Sequence, residues 1–201
     1  MSYESLRLPL RLIALAVLTV MIQEAAVSQI TIFGTSADLT PLVVMAVGLL
    51  TGSISGAIMG FGVGLLVDVL LFQTLGVTSL LYIVIGYWSG RLRELRDPSH
   101  GLVPMGLGAA ATAFAGVGMT LIQFLLGVDS PVSLLLIQQI FVTVLVNTLL
   151  ALPIYAAVKR VLDPALPQDP RRRRRRAYTT GGLSPLQQSS TRLRPTPRTS
   201  R

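Results

Sequence analysis

Cysteine, histidine and charged residues are all scarce in this 201-residue sequence. The absence of cysteine excludes a disulfide framework, a thiolate metal site and a cysteine nucleophile. His100 is the only histidine, so a Ser-His-Asp site or a histidine metal site has little to build on. The sequence therefore predicts no enzyme, no cofactor and no metal centre.

Charged residues make up only 13% of the chain, against about a quarter in soluble domains, and 51% of the residues are hydrophobic. No Lys or Arg occurs in the 79 residues between Arg11 and Arg91, or in the 62 residues between Arg96 and Lys159. The apolar runs in these two stretches are continuous and lack the alternation of barrel strands. They predict membrane-spanning helices, whose backbone polar groups are satisfied within the helix.

Six apolar segments are candidates for crossings: residues 8–27, 39–50, 53–72, 75–90, 102–126 and 132–158. Basic residues near span ends stay cytoplasmic, so an even number of crossings must separate Arg11 from Arg91. The sequence thus predicts an all-α bundle of about six transmembrane helices over residues 1–162, with both termini cytoplasmic and the second helix short or re-entrant. A cleaved signal peptide over the first segment is a less simple alternative, because five further apolar segments follow.

The composition changes after residue 162 to arginine, proline, serine and threonine. Such a segment cannot bury enough apolar surface to fold, so residues 163–201 are predicted to be a disordered cytoplasmic tail. The tail includes a run of six arginines, which we expect to bind anionic lipids of the cytoplasmic leaflet and not a specific nucleic acid. These residues are Arg171, Arg172, Arg173, Arg174, Arg175 and Arg176.

The stretch GSISGAIMGFGVGLLVD carries a glycine at every fourth position and then a carboxylate, namely Gly52, Gly56, Gly60, Gly64 and Asp68. In a bilayer, helices associate by close backbone approach, which glycines on one face allow. Two interpretations stay open. The stripe packs within the chain's own bundle, or it docks a helix of another protein.

Several acidic residues fall on the outer side in the six-span topology. Asp68, Glu24 and Asp38, together with Asp129, are candidates for an outer acidic cluster that binds a cation or a partner's basic residues. The alternative is that water or lipid headgroups solvate them at the interface. The polar residues within the spans are predicted to form hydrogen bonds between helices, and they are Gln123, Gln138, Gln139 and Asn147.

The order of these features resembles the bacterial rod shape-determining protein MreD family over roughly residues 8–160. The resemblance rests on Asp38-Leu39 at the second hydrophobic segment, on Leu65 to Asp68 at the end of the glycine-rich third segment, and on Gly90-Arg91 at the close of the fourth. It implies an inner-membrane subunit of the elongation machinery. The implied partners are MreC and, through it, MreB, RodA and a class B penicillin-binding protein.

Two functions from different classes follow. The first is a non-enzymatic membrane scaffold for peptidoglycan synthesis and cell shape, which binds a single-span, MreC-like partner. The second is a substrate-capture subunit of a vitamin or metal transporter, in which the outer acids and the Gln residues form a pocket. It rests on the family's likeness in fold to transporter subunits of the energy-coupling-factor type. A capture protein should bring several polar or aromatic residues together on the outer side, whereas the predicted outer loops are short and sparsely polar.

Overall fold

Six helices form the part of the chain that the structure describes. It is a computed structural model that describes residues 3–27, 31–32, 35–95, 102–127 and 134–164. The helices are α1 Tyr3–Ile22, α2 Leu39–Thr51, α3 Ser53–Leu70, α4 Val77–Leu95, α5 Leu102–Leu125 and α6 Leu134–Leu162. A π-helical turn over Gln23–Val27 continues α1, and the two-residue strands β1 (Thr31–Ile32) and β2 (Thr35–Ser36) pair antiparallel before α2. The predicted all-α fold with about six helices is confirmed.

Four segments are long and apolar enough to cross a membrane: Leu8–Ala25, Ser53–Leu70, Leu102–Leu125 and Leu136–Leu162. The other two helices are shorter in their apolar part. α4 has 19 residues, but its last turns carry Arg91, Arg93 and Glu94, so its uncharged part ends at Gly90. α2 has 13 residues and rises only about 20 Å, against a hydrocarbon core of about 30 Å. The predicted short second helix is therefore confirmed.

The short helix α2 is the centre of the bundle. All residues from Thr40 to Leu50 are buried, and Leu42, Val44 and Met45 are completely enclosed. Helices α1, α3, α4, α5 and α6 all contact it. α2 is apolar on every side and has no polar face. This pattern is expected of a helix that is enclosed by other helices.

Helices α3 and α4 form the most extensively packed pair, and both of them contact α2. The chain passes from α2 into α3 through the single residue Gly52, whose φ of 105° lies in the left-handed region. A side chain would be strained there, so glycine lets two helices follow one another with almost no loop. Helices α5 and α6 pack against each other and also contact α2.

Candidate functional site

The glycine stripe lies against α4 of the same chain. Cβ atoms added at Gly56, Gly60 and Gly64 would lie under 3.0 Å from backbone atoms of Gly86, Tyr82 and Ser79 respectively. These contacts run in opposite order along the two helices, so α3 and α4 are antiparallel and touch along the whole stripe. The interpretation that the stripe packs within its own bundle agrees with these contacts.

Two glycines on α4 complete this interface. Gly86 faces Gly56, and Gly90 faces the backbone of Gly52 and Ser53. Sequence reasoning used Gly90 only as part of a family motif and missed the packing role of Gly86, although the four-residue spacing of these two glycines matches that of the stripe. Docking of a partner's helix onto Gly52, Gly56, Gly60 and Gly64 stays a prediction, and α4 would have to move away to allow it.

Asp68 has a structural role in the α3–α4 turn that the sequence did not reveal. Its side chain is completely buried, and its carboxylate accepts hydrogen bonds from the N–H groups of Gly76 (2.7 Å) and Thr78 (3.3 Å). The first N–H groups of a helix have no partner within the helix, and a carboxylate is well suited to accept them. Asp68 thus caps the start of α4 from the end of α3, and its predicted contact with a partner would require this cap to open.

The two outer acids named from the sequence lie beside the start of α2. Asp38 is the N-cap residue of α2, and its Oδ1 accepts a hydrogen bond from the N–H of Thr40 at 3.0 Å. Glu24 lies in the π-helical turn after α1 and is half-buried. Burial raises the pKa of the Asp38 carboxyl, and the charge of Glu24 adds a smaller contribution in the same direction. Glu24 and Asp38 are therefore close enough for their charges to interact.

Two buried amide side chains hold this start of α2 in place. Gln23 donates to the carbonyl of Ala37 (3.0 Å) and accepts from the N–H of Leu39 (2.8 Å). Asn147 on α6 is fully buried, donates to the carbonyl of Asp38 (2.8 Å) and to the Thr112 hydroxyl (3.1 Å), and accepts from the Asp38 N–H (3.3 Å). The prediction that Asn147 forms hydrogen bonds between helices is confirmed, whereas the role of Gln23 was missed.

A cavity of about 550 Å³ opens next to these residues. Each of the six helices or its continuation contributes to the wall. The cavity lies at the end of the bundle that the sequence predicts to be the outer one. The polar part of the wall contains carboxylates, amides and hydroxyl groups, including Glu24, Asp38, Gln73, Tyr82, Thr120 and Gln139. Polar and aromatic groups therefore converge here, although the loops are short.

The opposite end of the bundle carries the described basic residues. Arg93 donates a hydrogen bond to the carbonyl of Leu50 in the last turn of α2, and Arg11 donates to the carbonyl of Val161 at 3.3 Å. Glu94, in the last turn of α4 beyond its apolar part, accepts from the hydroxyl of Ser53 at 2.6 Å. Hydrogen bonds from Ser53 and from Arg91 hold the pKa of Glu94 below its usual range. The bonds of Arg93 and Glu94 tie α4 to the α2–α3 corner, and the bond of Arg11 joins α1 to α6.

Three groups of predicted residues lie outside the described residues. They are His100, Asp129 and the tail arginines Arg171–Arg176. The lipid-binding role of the tail stays a prediction.

Comparison with known proteins gives one match. A family model described as rod shape-determining protein MreD matches residues 6–161, which take in α2 to α5 completely and nearly all of α1 and α6. No curated protein and no solved structure matches the chain.

Proposed function

Because the chain belongs to the MreD family of rod shape-determining proteins, we propose that it is a non-enzymatic scaffold subunit of the bacterial cell-elongation machinery. The observation that carries this proposal is the family match, which extends over almost the whole helical part of the chain. The scaffold binds the membrane helix of a single-span, MreC-like protein. Through that protein it supports RodA, a class B penicillin-binding protein and MreB.

The hydrogen bonds of three buried polar side chains support a scaffold role. Asp68, Gln23 and Asn147 each form hydrogen bonds with backbone groups of a neighbouring segment. Inside a bilayer such bonds lock helices into one arrangement, because the alternative is an unpaired polar group in hydrocarbon. Together with the glycine-packed α3–α4 pair, they give a rigid body whose outer helix faces are available to other membrane proteins.

Among those outer faces we propose that the partner docks on α6. In its 18-residue apolar window only 11% of the residues are buried, the smallest share among the four long segments. Beside it lies a groove of about 770 Å³, whose wall is almost entirely apolar and includes Met105 of α5 and Phe141, Leu145 and Leu149 of α6. A groove of this volume can accept side chains of a second helix. In lipid, van der Waals packing of this kind drives the association of helices.

The absence of cysteine allows a clean crosslinking test of this docking face. Leu145→Cys lies in the α6 groove, and Ile58→Cys on α3 is its matched control because the two side chains are similarly exposed, at 64% and 67%. Ala57→Cys reports on the flank of the glycine stripe. Each variant is expressed with an MreC-like protein that carries one cysteine in its membrane helix, and disulfide formation is measured after mild oxidation in intact membranes.

We expect a disulfide from Leu145→Cys and none from Ile58→Cys. A disulfide from Ile58→Cys alone would move the docking face to α3, and one from Ala57→Cys alone would move it to the stripe. If no position crosslinks, although each variant is inserted and the cells keep their rod shape, the docking proposal is refuted.

We also propose that both termini lie in the cytoplasm and that Arg171–Arg176 bind anionic lipids there. A membrane-impermeant thiol reagent applied to intact inner-membrane spheroplasts should label Gln73→Cys in the α3–α4 turn and should leave Glu94→Cys unlabelled. The reverse labelling would invert the topology. Replacement of the six arginines by glutamine should weaken binding of the isolated tail peptide to vesicles that contain phosphatidylglycerol, and unchanged binding would refute the lipid contact.

A further inference from the structure

The cavity at the predicted outer end of the bundle has no part in the scaffold role proposed above. Its volume of about 550 Å³ lies in the range of small-molecule sites, which is about 300–1,000 Å³. Gln73 and Gln139 are exposed and lie at its rim, whereas Thr40, Tyr82 and Thr112 are buried deeper in the wall. The cavity is therefore open to molecules from outside the bundle and has an inner wall made by several helices.

The charge of the wall has a single sign. Glu24 and Asp38 line the cavity, and the wall contains no Lys, Arg or His among the described residues. Burial is the largest cause that raises the pKa of the Asp38 carboxyl, and repulsion by the charge of Glu24 adds a smaller contribution. A positively charged group between or beside them would offset this repulsion.

The other residues of the wall indicate which class of cation fits the cavity. The hydroxyl of Tyr82, the threonine hydroxyls and the amide of Gln139 offer hydrogen bonds around the acids, while Val67, Met119 and Ile140 supply apolar surface. No group of three or more metal-ligating side chains occurs in the described ranges. The apolar surface beside the two carboxylates matches an organic cation, which has an apolar part that a bare metal ion lacks.

We propose that this cavity binds an organic cation, a molecule with an ammonium group that is recognised by Glu24 and Asp38 and with an apolar part that packs on Val67, Met119 and Ile140. An ammonium group donates hydrogen bonds to both carboxylates, and charge-assisted bonds of this kind are the strong ones. The ammonium belongs either to a free amine or to the headgroup of phosphatidylethanolamine. Binding at this site is independent of partner docking on α6.

The test measures binding of dansylcadaverine, a fluorescent primary amine, to the purified full chain. The chain is held in dodecyl maltoside micelles, which carry neither charge nor amine, and empty micelles give the background. Dansylglycine is the matched anionic probe. The test variant is Glu24→Gln with Asp38→Asn, which removes both charges and keeps both shapes, and asparagine also serves as an N-cap for α2. Glu94→Gln is the matched control, because it removes one carboxylate at the opposite end of the bundle.

We expect saturable binding of dansylcadaverine and none of dansylglycine. Binding to the double variant should be weaker by about tenfold or more, because both negative charges of the cavity wall are lost. Glu94→Gln should bind within about twofold of the original chain, since its carboxylate is far from the cavity wall. The thermal unfolding curve of each variant shows whether the fold is intact.

Competition between lipids and the probe shows whether the ammonium group belongs to a lipid headgroup or to a free amine. Phosphatidylethanolamine that displaces the probe, while phosphatidylglycerol does not, identifies a lipid headgroup as the occupant. If neither lipid displaces the probe, the occupant is a free amine. Binding no greater than to empty micelles, equal binding of the anionic probe, or full binding by a folded double variant would each overturn the proposal.

Discussion

A single methyl group added to the glycine stripe tests the close packing of α3 on α4. In Gly60→Ala the new Cβ would lie 2.5 Å from the carbonyl carbon of Tyr82 and even closer to its oxygen. Ordinary contact begins at 3.4 Å, so the backbone of α4 would have to move by roughly 1 Å. Overpacking of this kind costs about 1–3 kcal/mol, which exceeds the gain of about 1 kcal/mol in helix propensity from glycine to alanine. We expect a net loss of stability.

Gly62→Ala is the matched control, because it lies two residues away on the same helix and its added Cβ meets nothing within 4 Å. We expect its free energy of unfolding to be unchanged or higher by up to about 1 kcal/mol. Both variants are unfolded by titration with SDS in mixed micelles, and loss of helical circular dichroism is followed. Equal stability of the two variants would refute the direct contact between α3 and α4 at this position.

Two buried polar residues give further predictions in the same assay. Asp68→Ala should destabilise the fold by about 1–3 kcal/mol, because the N–H groups of Gly76 and Thr78 lose their acceptor, and Asp68→Asn should lie between it and the original chain because one acceptor oxygen remains. If Asp68→Ala is as stable as the original chain, the carboxylate does not cap α4. Asn147→Leu should also lose about 1–3 kcal/mol, because backbone groups of Asp38 are left unpaired, whereas Thr143→Val on the exposed part of the same helix should lose less. Similar losses for the two α6 variants would contradict a special role for Asn147.

The six helices could be predicted from the sequence because their determinants are local. The length of an apolar run and the positions of Arg11, Arg91 and Arg96 are visible without any knowledge of packing. The short length of α2 followed from the same reasoning, since residues 39–72 are too few for two full spans. Its central position did not follow, because an apolar run looks the same whether lipid or other helices surround it.

The candidate sites depend on which helices become neighbours, and this is the information that one sequence lacks. The spacing of the glycines predicted close approach but not that α4 is the helix that approaches. Asp68 finds its hydrogen-bond donors eight and ten residues away, across a turn, so no helical periodicity connects them. The cavity draws its wall from segments as distant as Gln23 and Thr143. The sequence pointed to Glu24, Asp38 and Gln139 one by one, but not to their meeting in one cavity.

The enclosed position of α2 has a consequence for how the chain is made. Residues 39–51 emerge from the ribosome long before α6, yet α6 covers part of α2, and Asn147 of α6 satisfies backbone groups at its start. Being too short to span the hydrocarbon core, α2 cannot reach its final state as an independent span in lipid. Membrane insertion of the early helices must therefore precede a separate assembly step that waits for the last helix. A chain that stops before α6 leaves part of α2 uncovered and deprives the backbone of Asp38 of its Asn147 partner.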